Sequence, residues 1–464
     1  MSSIIKTADR LENSIQALNI AHAHSRDYLS GLEARRVFPS DGDIDNLRRF
    51  LEPLPAQSSD PQDTLDLLAK YGAPATTATA AGRFFGLVVG GALPAALGAR
   101  IMTSAWDQVV FNDATSPVGV ALEKVTADWL LDILGLPAKA SVGFVTGTTA
   151  GTLVCLSAAR HSLLRKAGWD VQKQGLWGAP KIHVVASEQM HVINQKILSL
   201  LGIGSADIEY VPCDENGAIR LDALPELTAN SLVLTQAGNV NSGGFDPIGE
   251  IADRANQVGA WVHVDGAFGL WAAASTSKRP LLQGFDKAHS WVTDAHKWLN
   301  TPYDCGIAFC RTPQDVHAVM ATVAPYLKAG ETAAPKDMVP EFSRSARAIE
   351  VWAALRSLGR EGVEDLVDGC CRHAETLANA LKSIGFEILN DVVLNQVVAT
   401  FPGHEDKMAE LASRVQQSGE AWLGPTTWRG RNAIRISISS WVTQESDIKR
   451  TVKAIDREIV SDES

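Results

Sequence analysis

Short apolar runs rich in β-branched residues alternate with helical stretches through the middle of the chain. These runs occupy positions 182–185 (IHVV), 207–211 (DIEYV), 231–235 (SLVLT), 261–264 (WVHV) and 306–309 (GIAF). Apolar strands separated by helices are typical of a mostly parallel sheet that is covered on both faces. The alternation therefore predicts a large α/β domain, whose ligand site is expected at the carboxyl ends of the strands.

Two further regions flank this α/β pattern. Residues 1–75 are helical and polar in pattern and end in a break rich in proline and serine. Residues 345–464 begin with a long helical stretch and continue with strand-like runs at 395–400 and 433–438 before a closing helix. The chain is therefore predicted to contain an N-terminal helical segment (1–75), a large α/β domain (76–344) and a smaller α+β domain (345–464).

A helix is predicted just ahead of the first strands. Apolar residues recur there at helical spacing, and a glycine and a proline then end the pattern. The apolar positions are Val118, Leu122, Val125, Trp129 and Ile133, and the residues that end the helix are Gly135 and Pro137.

Composition restricts the class of protein. The 464 residues carry a formal net charge of −11 and are 45% hydrophobic, as in ordinary globular enzymes, and an acidic surface argues against a nucleic-acid partner. The apolar segment 84–101 holds proline, glycines and an arginine, so we interpret it as buried protein and not as a membrane span. The N-terminus does not resemble a signal peptide, and six cysteines without metal-ligand spacing fit a reducing cytoplasm.

Two residues suggest the chemistry of the site. Asp265 directly follows an apolar run in HVDGAFG (263–269), and an aspartate at a strand end can keep a ring nitrogen protonated. Lys297 lies in TDAHKWLN (293–300), where its neighbours can partly desolvate the amine and make it nucleophilic. A surface lysine and a capping aspartate are the alternative for either residue alone, but their order and context favour a shared site.

These two motifs resemble those of the group II decarboxylases that depend on pyridoxal 5′-phosphate (PLP), a family that includes aromatic-amino-acid, histidine, glutamate and diaminobutyrate decarboxylases. The resemblance extends over about residues 80–445. It implies a type I aminotransferase-like fold with a seven-stranded sheet, and a homodimer with active sites at the subunit interface. The N-terminal helices are then expected to wrap around the second subunit.

The resemblance also implies roles for individual residues. Lys297 is expected to carry the cofactor as a Schiff base, and Asp265 to pair with the pyridine nitrogen. Ala267 is expected against one face of the ring, and His296 is expected to reach the phosphate.

A turn rich in glycine and threonine, FVTGTTAG (144–151), leads directly into an apolar helix. Free N–H groups at the start of a helix bind anions, and Thr148 and Thr149 add hydroxyl donors. A plain threonine cap is the alternative. The resemblance places the phosphate here, although Ala150 and Gly151 stand where the family has an acidic and a small residue.

Two polar residues follow other strands. His191 comes after the run at 182–185, and the resemblance implies that it stacks on the cofactor ring and assists proton transfer; a structural histidine is the alternative. Asn239 lies in the turn 235–248, where asparagine commonly serves backbone geometry. The family has a polar residue at this place near the cofactor hydroxyl, so Asn239 is a candidate ligand.

Three residues are weaker candidates for contact with substrate. Arg83 and Trp106 lie where the family builds part of its substrate pocket. Arg435, on the small domain, could grip an α-carboxylate with two hydrogen bonds. For both arginines a structural salt bridge is an equal alternative. No metal site is predicted.

The reaction expected from the resemblance is decarboxylation of an amino acid, with a weak preference for an aromatic or bulky side chain. Related animal enzymes have a mobile loop with a proton-donating tyrosine, whereas the matching stretch here, 325–347, is shorter and has Tyr326 at its start. A carbon–carbon lyase or an aldehyde-forming decarboxylase is therefore the main alternative. A non-catalytic regulator is a further one, although Asp265 and Lys297 are both present.

Overall fold

A seven-stranded sheet forms the centre of the molecule in the computed structural model, which describes residues 7–322 and 334–460. The strand order is β1-β7-β6-β5-β4-β2-β3; β7 runs antiparallel to β1 and β6, and the other pairs are parallel. The strands are β1 (Ser141–Val145), β2 (His183–Ser187), β3 (Ile208–Val211), β4 (Ser231–Gln236), β5 (Trp261–Asp265), β6 (Ser290–Asp294) and β7 (Gly306–Cys310). The predicted mostly parallel sheet is confirmed.

A second, antiparallel sheet lies nearer the carboxyl end of the chain. Its four strands have the order β10-β11-β9-β8. They are β8 (Glu387–Ile388), β9 (Gln396–Thr400), β10 (Gly424–Trp428) and β11 (Arg431–Ser437). One hydrophobic cluster includes residues of both sheets, among them Val264 and Val397, so the two sheets share a core. The domain boundaries at 75–76 and 344–345 remain predictions.

Helices cover the large sheet and flank the small one. Two buried hydrophobic clusters pack against the large sheet, and both include residues of its strands. The helices are α1 (Thr7–Ser30), α2 (Asp41–Asp45), α3 (Pro61–Leu67), α4 (Pro94–Trp106), α5 (Pro117–Leu134), α6 (Thr148–Lys166), α7 (Val171–Gln174), α8 (Val192–Leu200), α9 (Ile248–Val258), α10 (Pro313–Met320), α11 (Arg347–Ser383), α12 (Met408–Ser418) and α13 (Glu445–Val460).

The apolar segment 84–101 passes beside the turn that carries Lys297. Its glycines allow this approach, because a Cβ on Gly90 would lie 1.9 Å from the carbonyl oxygen of Lys297 and one on Gly86 would lie 2.0 Å from the ring of Trp422. Phe85 is almost fully buried. The segment thus forms one wall of the lysine turn. Among residues 7–322 and 334–460, no helix is long and apolar enough to cross a membrane.

Candidate active site

The carboxyl ends of the parallel strands meet at one edge of the large sheet, and the candidate residues lie there. Asp265 ends β5, and Asp294 ends β6 three positions before Lys297. Helix α6 begins at Thr148, just after β1. Gly306 at the start of β7 lies so close to this turn that a Cβ on it would be 2.4 Å from backbone atoms of Gly147. The sheet therefore brings these residues from distant parts of the sequence to one edge.

The Lys297 amine is held by a carboxylate. Its Nζ lies 3.0 Å from Asp294 Oδ2, and its side chain is 23% exposed. The turn after Lys297 is fixed by the buried Asn300, whose side-chain amide donates to the carbonyls of Trp298 (2.8 Å) and Ser439 (2.9 Å). The lysine is therefore partly enclosed on a well-braced turn, as the sequence led us to expect.

Asp265 is buried, and two hydrogen bonds orient its carboxylate. Oδ2 accepts a hydrogen bond from the side-chain amide of Asn194 at 3.0 Å, and Oδ1 accepts one from the Ala267 N–H at 3.2 Å. The Ala267 carbonyl in turn accepts the Asp294 N–H at 2.9 Å. The segment between Asp265 and Ala267 is thus attached to the strand that leads to Lys297.

His191 is the residue just before α8, where its Nδ1 accepts the Ile193 N–H at 3.4 Å. The imidazole is exposed on the single chain, yet the surrounding protein displaces enough water to lower its pKa from the ordinary value. Asp265 opposes this shift, whereas the charges of Lys297 and Arg435 add to it. His191 therefore lies in the electrostatic field of the other candidate residues and favours its neutral form.

His296 is nearly fully buried behind the lysine turn. Its Nδ1 accepts the Cys305 N–H at 3.1 Å, its Nε2 lies 3.6 Å from Asp294 Oδ2, and its ring stacks on Tyr303 with centroids 4.2 Å apart. Burial lowers the pKa of the imidazole, with Asp294 opposing the shift. His296 therefore belongs to the same group of side chains as Lys297.

The amino end of α6 faces this group. Thr148 donates its N–H to Asp294 Oδ1 at 2.7 Å and its hydroxyl to Asp294 Oδ2 at 3.0 Å. The first intrahelical bond is that of the Gly151 N–H to the Gly147 carbonyl, so the N–H groups of Thr149 and Ala150 have no intrahelical acceptor. Thr148 is buried and Thr149 is exposed.

Asn239 is buried in the turn after β4. Its Oδ1 accepts the N–H groups of Asn241 (2.8 Å) and Ser242 (3.3 Å). Asn239 therefore stabilises the backbone of the turn, the structural role that is the alternative to ligand binding. Its buried Nδ2, however, has no hydrogen-bond partner in the described part of the chain. This unpaired donor keeps Asn239 among the candidate ligands.

Arg435, on β11, differs sharply from Arg83. Arg435 Nη1 contacts the Val240 carbonyl at 3.4 Å, and no ion pair joins its half-buried guanidinium to a carboxylate of the described residues. Burial lowers the pKa of this guanidinium. Arg435 therefore has donors to spare, and its positive charge contributes to the lowered pKa of His191.

Arg83, a weaker candidate for substrate contact, is held by other parts of the chain. Its guanidinium is 2% exposed and donates to the carbonyls of Glu420 and Glu33, with Asp447 3.6 Å away. No described contact of Arg83 reaches Lys297 or Asp265. The alternative of a structural salt bridge is the one that the contacts support. Trp106 ends α4 and is 44% exposed on the single chain, without a described contact to the candidate site.

Two residues that organise the site were not predicted from the sequence. Asp294 contacts Lys297, Thr148 and His296, and Asn194 orients Asp265. Asp294 stands within the lysine motif itself. Asn194 lies three positions after His191, at a spacing that places both on one side of a helical turn. Within the described ranges, no group of three or more His, Cys, Asp or Glu side chains could hold a metal ion.

Comparison with known proteins identifies the family. The pyridoxal-dependent decarboxylase conserved domain matches residues 50–401, most of the chain. The chain belongs to this family. It is 28% identical to tryptophan decarboxylase 1 of Oryza sativa subsp. japonica, over 91% of this chain and 89% of the relative. It is 26% identical to an aromatic-L-amino-acid decarboxylase of Bacillus atrophaeus, over 93% of each. A phenylacetaldehyde synthase of Arabidopsis thaliana is also 26% identical, over 75% of this chain and 76% of the relative.

The fold agrees with this assignment. A crystal structure of Oryza sativa TDC with PLP and tryptamine superposes with a TM-score of 0.90, at 23% identity and with full coverage of both chains. The predicted type I PLP fold is thereby confirmed, and PLP is the cofactor of this protein.

The site residues fit this cofactor. The buried Asp265 carboxylate suits a protonated pyridine nitrogen, and Lys297 supplies a primary amine for the aldehyde. The open N–H groups of Thr149 and Ala150 suit a phosphate, and the unpaired Nδ2 of Asn239 suits a ring hydroxyl. A carboxylate acceptor, a primary amine, backbone N–H donors and an amide donor thus match the ring nitrogen, aldehyde, phosphate and hydroxyl of PLP.

Proposed function

We propose that this protein decarboxylates an L-amino acid, with an aromatic or other bulky side chain favoured, and releases carbon dioxide and an amine. The observation that carries the proposal is the arrangement of Asp265 and Lys297 at one edge of the sheet, in a chain of the pyridoxal-dependent decarboxylase family. Relatives named tryptophan decarboxylase and aromatic-L-amino-acid decarboxylase support the aromatic preference.

The cofactor supplies an electron sink for the bond that breaks at the substrate Cα, and the protein selects that bond by orientation. In our proposal, Lys297 holds the cofactor covalently until substrate arrives, and Asp265, oriented by Asn194, keeps the ring nitrogen protonated. His191, whose pKa is lowered, is neutral near pH 7 and can lie flat against the ring or take up a proton. In the same proposal, Ala267 would lie against one face of the ring, and His296 and Thr149 would hold the phosphate.

Arg435 is the proposed contact for the substrate carboxylate. Its guanidinium is half-buried and lacks an ion pair within the described residues. A decarboxylase should bind the carboxylate without stabilising it more than the transition state.

The second candidate function is oxidative formation of an aldehyde from an aromatic amino acid, in which dioxygen accepts two electrons to become hydrogen peroxide and the amino acid yields carbon dioxide, ammonia and the aldehyde. Phenylacetaldehyde synthase of Arabidopsis thaliana and 4-hydroxyphenylacetaldehyde synthase of Rhodiola rosea are among the relatives, at 26% and 27% identity. Tyr326, on which the sequence-based distinction depends, lies outside the described residues. Carbon–carbon lyase chemistry at the same lysine is the third outcome to be tested.

A product assay decides between these reactions. Purified enzyme loaded with PLP is incubated with a panel of L-amino acids that includes β-hydroxy amino acids, and carbon dioxide, amine and aldehyde are quantified together. Equal amounts of carbon dioxide and amine without aldehyde would support the proposal. Aldehyde with carbon dioxide would favour the aldehyde-forming reaction, and aldehyde with glycine would favour a lyase. Lys297→Ala is the blank, and Lys287→Ala, an exposed lysine paired with Asp253, is its matched control.

We further propose that the protein is a homodimer of the cytoplasm with its sites at the subunit interface. Helix α1 exposes Leu11, Ile15 and Leu18, which are 64%, 55% and 48% exposed and lie along one stripe of the helix. A second copy of the chain would cover this stripe and the exposed Trp106. Light scattering after size-exclusion chromatography should give twice the mass of one chain, and a monomer would contradict the proposal.

A further inference from the structure

Asp294 uses the donors that an anionic ligand would seek at the amino end of α6. Its Oδ1 accepts the Thr148 N–H at 2.7 Å, and its Oδ2 accepts the Thr148 hydroxyl at 3.0 Å. The side chain is nearly fully buried, which strengthens these charge-assisted bonds. A carboxylate of the protein itself is therefore bound to Thr148, in the turn 144–151 that we propose as the phosphate-binding turn.

The same carboxylate also engages Lys297. Oδ2 lies 3.0 Å from Lys297 Nζ, so one atom contacts both the phosphate-binding turn and the lysine that the cofactor must reach. A PLP molecule brings a phosphate to the neighbouring N–H groups of Thr149 and Ala150 and an aldehyde to Lys297. Two anions at one helix terminus repel each other, and the cofactor uses the lysine that otherwise balances the Asp294 charge.

We propose that Asp294 competes with the cofactor phosphate for the amino end of α6 and for Lys297, and that it thereby weakens cofactor binding. Asp294 is on this view a positioning residue: it holds Lys297 and Thr148 together and must yield part of both contacts to the cofactor. The chain then exchanges its cofactor more readily than it would with a neutral residue at this position.

Asp294→Asn tests this competition, because asparagine keeps the size of the side chain and removes the charge. Binding of pyridoxine 5′-phosphate, inorganic phosphate and pyridoxine to the apoenzyme is measured by tryptophan fluorescence and by competition. None of the three has an aldehyde, so Lys297 forms no covalent bond with them. We expect the variant to bind both phosphate ligands about tenfold more tightly, because loss of the repulsion from one neighbouring charge changes a binding constant by about this factor. The affinity for pyridoxine, which carries no phosphate, should stay within about twofold of the wild-type value.

Two variants serve as controls. Asp294→Glu retains the charge and should show no gain for the phosphate ligands. Asp253→Asn removes an exposed aspartate that likewise pairs with a lysine, at 2.7 Å, and should leave all three affinities unchanged. If Asp294→Asn does not fold, as judged by its melting curve, Asp294→Ser replaces it.

Unchanged or weaker binding of the two phosphate ligands by the neutral variant would overturn the proposal, and so would an equal gain for pyridoxine. The experiment measures ligand affinity alone. Its outcome is therefore independent of which reaction the holoenzyme performs.

Discussion

The side-chain amide of Asn194 donates a hydrogen bond to Asp265 Oδ2 at 3.0 Å, and both residues are buried. Asn194 belongs to the first turn of α8, whereas Asp265 ends β5 on the central sheet. The Ala267 N–H holds the other carboxylate oxygen. The two bonds define the direction in which Asp265 presents its charge, so in our proposal Asn194 acts on the cofactor through Asp265.

We therefore expect Asn194→Leu to impair cofactor binding. Loss of a hydrogen bond to a buried carboxylate costs about 1–3 kcal/mol, which corresponds to roughly a tenfold to hundredfold weaker PLP affinity. The affinity is measured by fluorescence titration of the apoenzyme. Asn256→Leu, on the exposed face of α9, removes an amide that donates to the Lys287 carbonyl at 3.2 Å and should leave PLP binding unchanged. An Asn194→Leu variant with normal PLP affinity would show that Asp265 needs no such support.

Arg435→Met should raise the KM for the amino-acid substrate. A charged hydrogen bond contributes about 1.5–3 kcal/mol, so the increase should be roughly tenfold to hundredfold if the guanidinium binds the α-carboxylate. The corresponding amine lacks this carboxylate, and its inhibition constant should therefore not change. Parallel measurements of KM and of amine inhibition distinguish a contact with the α-carboxylate from a general effect on the pocket. Equal weakening of both ligands would mean that Arg435 shapes the pocket without contacting the carboxylate.

Arg83→Met should act on stability and not on ligand binding. The buried guanidinium lies between Glu420 and Asp447 and donates to the Glu420 and Glu33 carbonyls, and loss of hydrogen bonds from a charged group costs about 1.5–3 kcal/mol. Chemical denaturation should show this loss, while the PLP affinity of the folded variant stays normal. Arg26→Met is the matched control, because Arg26 is 72% exposed and lies 4.0 Å from Asp27. A stable Arg83→Met variant with raised KM would restore Arg83 as a substrate ligand.

The sequence predicted five of the seven strands of the large sheet and two of the four strands of the small one, and it missed β1, β6, β8 and β10. All five predicted runs of the large sheet are strands, as are both runs of the small sheet. Strands β1 (SVGFV) and β6 (SWVTD) both pair with β7, and a local sequence pattern does not contain such pairing partners. The long helix predicted from about residue 345 exists, but Gly359, with φ of 64°, interrupts it.

Burial was harder to predict than secondary structure. The helix predicted before Gly135 is present as α5, yet Val118 and Val125 are 39% and 37% exposed, whereas Glu123 and Thr126 are buried. Glu123 is buried because it pairs with Arg344, which lies far away in the sequence. Motif residues could be assigned to the site because the family resemblance supplied their roles. Asn194 and Asp294 could not, since their roles consist of contacts with residues on other elements.

The remaining prediction concerns pH and the buried His263, which lies two residues before Asp265. Its Nδ1 is 2.9 Å from Ser290 Oγ, and its Nε2 has no partner within the described ranges. Burial lowers the pKa of this imidazole from 6.5 to about 4, although Asp265 opposes the shift. The unfolded chain therefore takes up a proton at a higher pH than the folded protein does. Stability from His263 is complete above pH 6.5 and is lost as the pH falls towards 4.

Urea unfolding of the wild type at pH 7.5 and at pH 4.5 should accordingly differ, with about 3 kcal/mol of the difference due to His263. His263→Leu cannot bind that proton, so its free energy of unfolding should fall less over the same pH range. Ser290→Ala, which removes the hydroxyl next to Nδ1 but keeps the imidazole, should retain the wild-type pH dependence. If His263→Leu and the wild type lose stability in parallel, then His263 is already protonated in the folded protein and its burial does not exclude the charge.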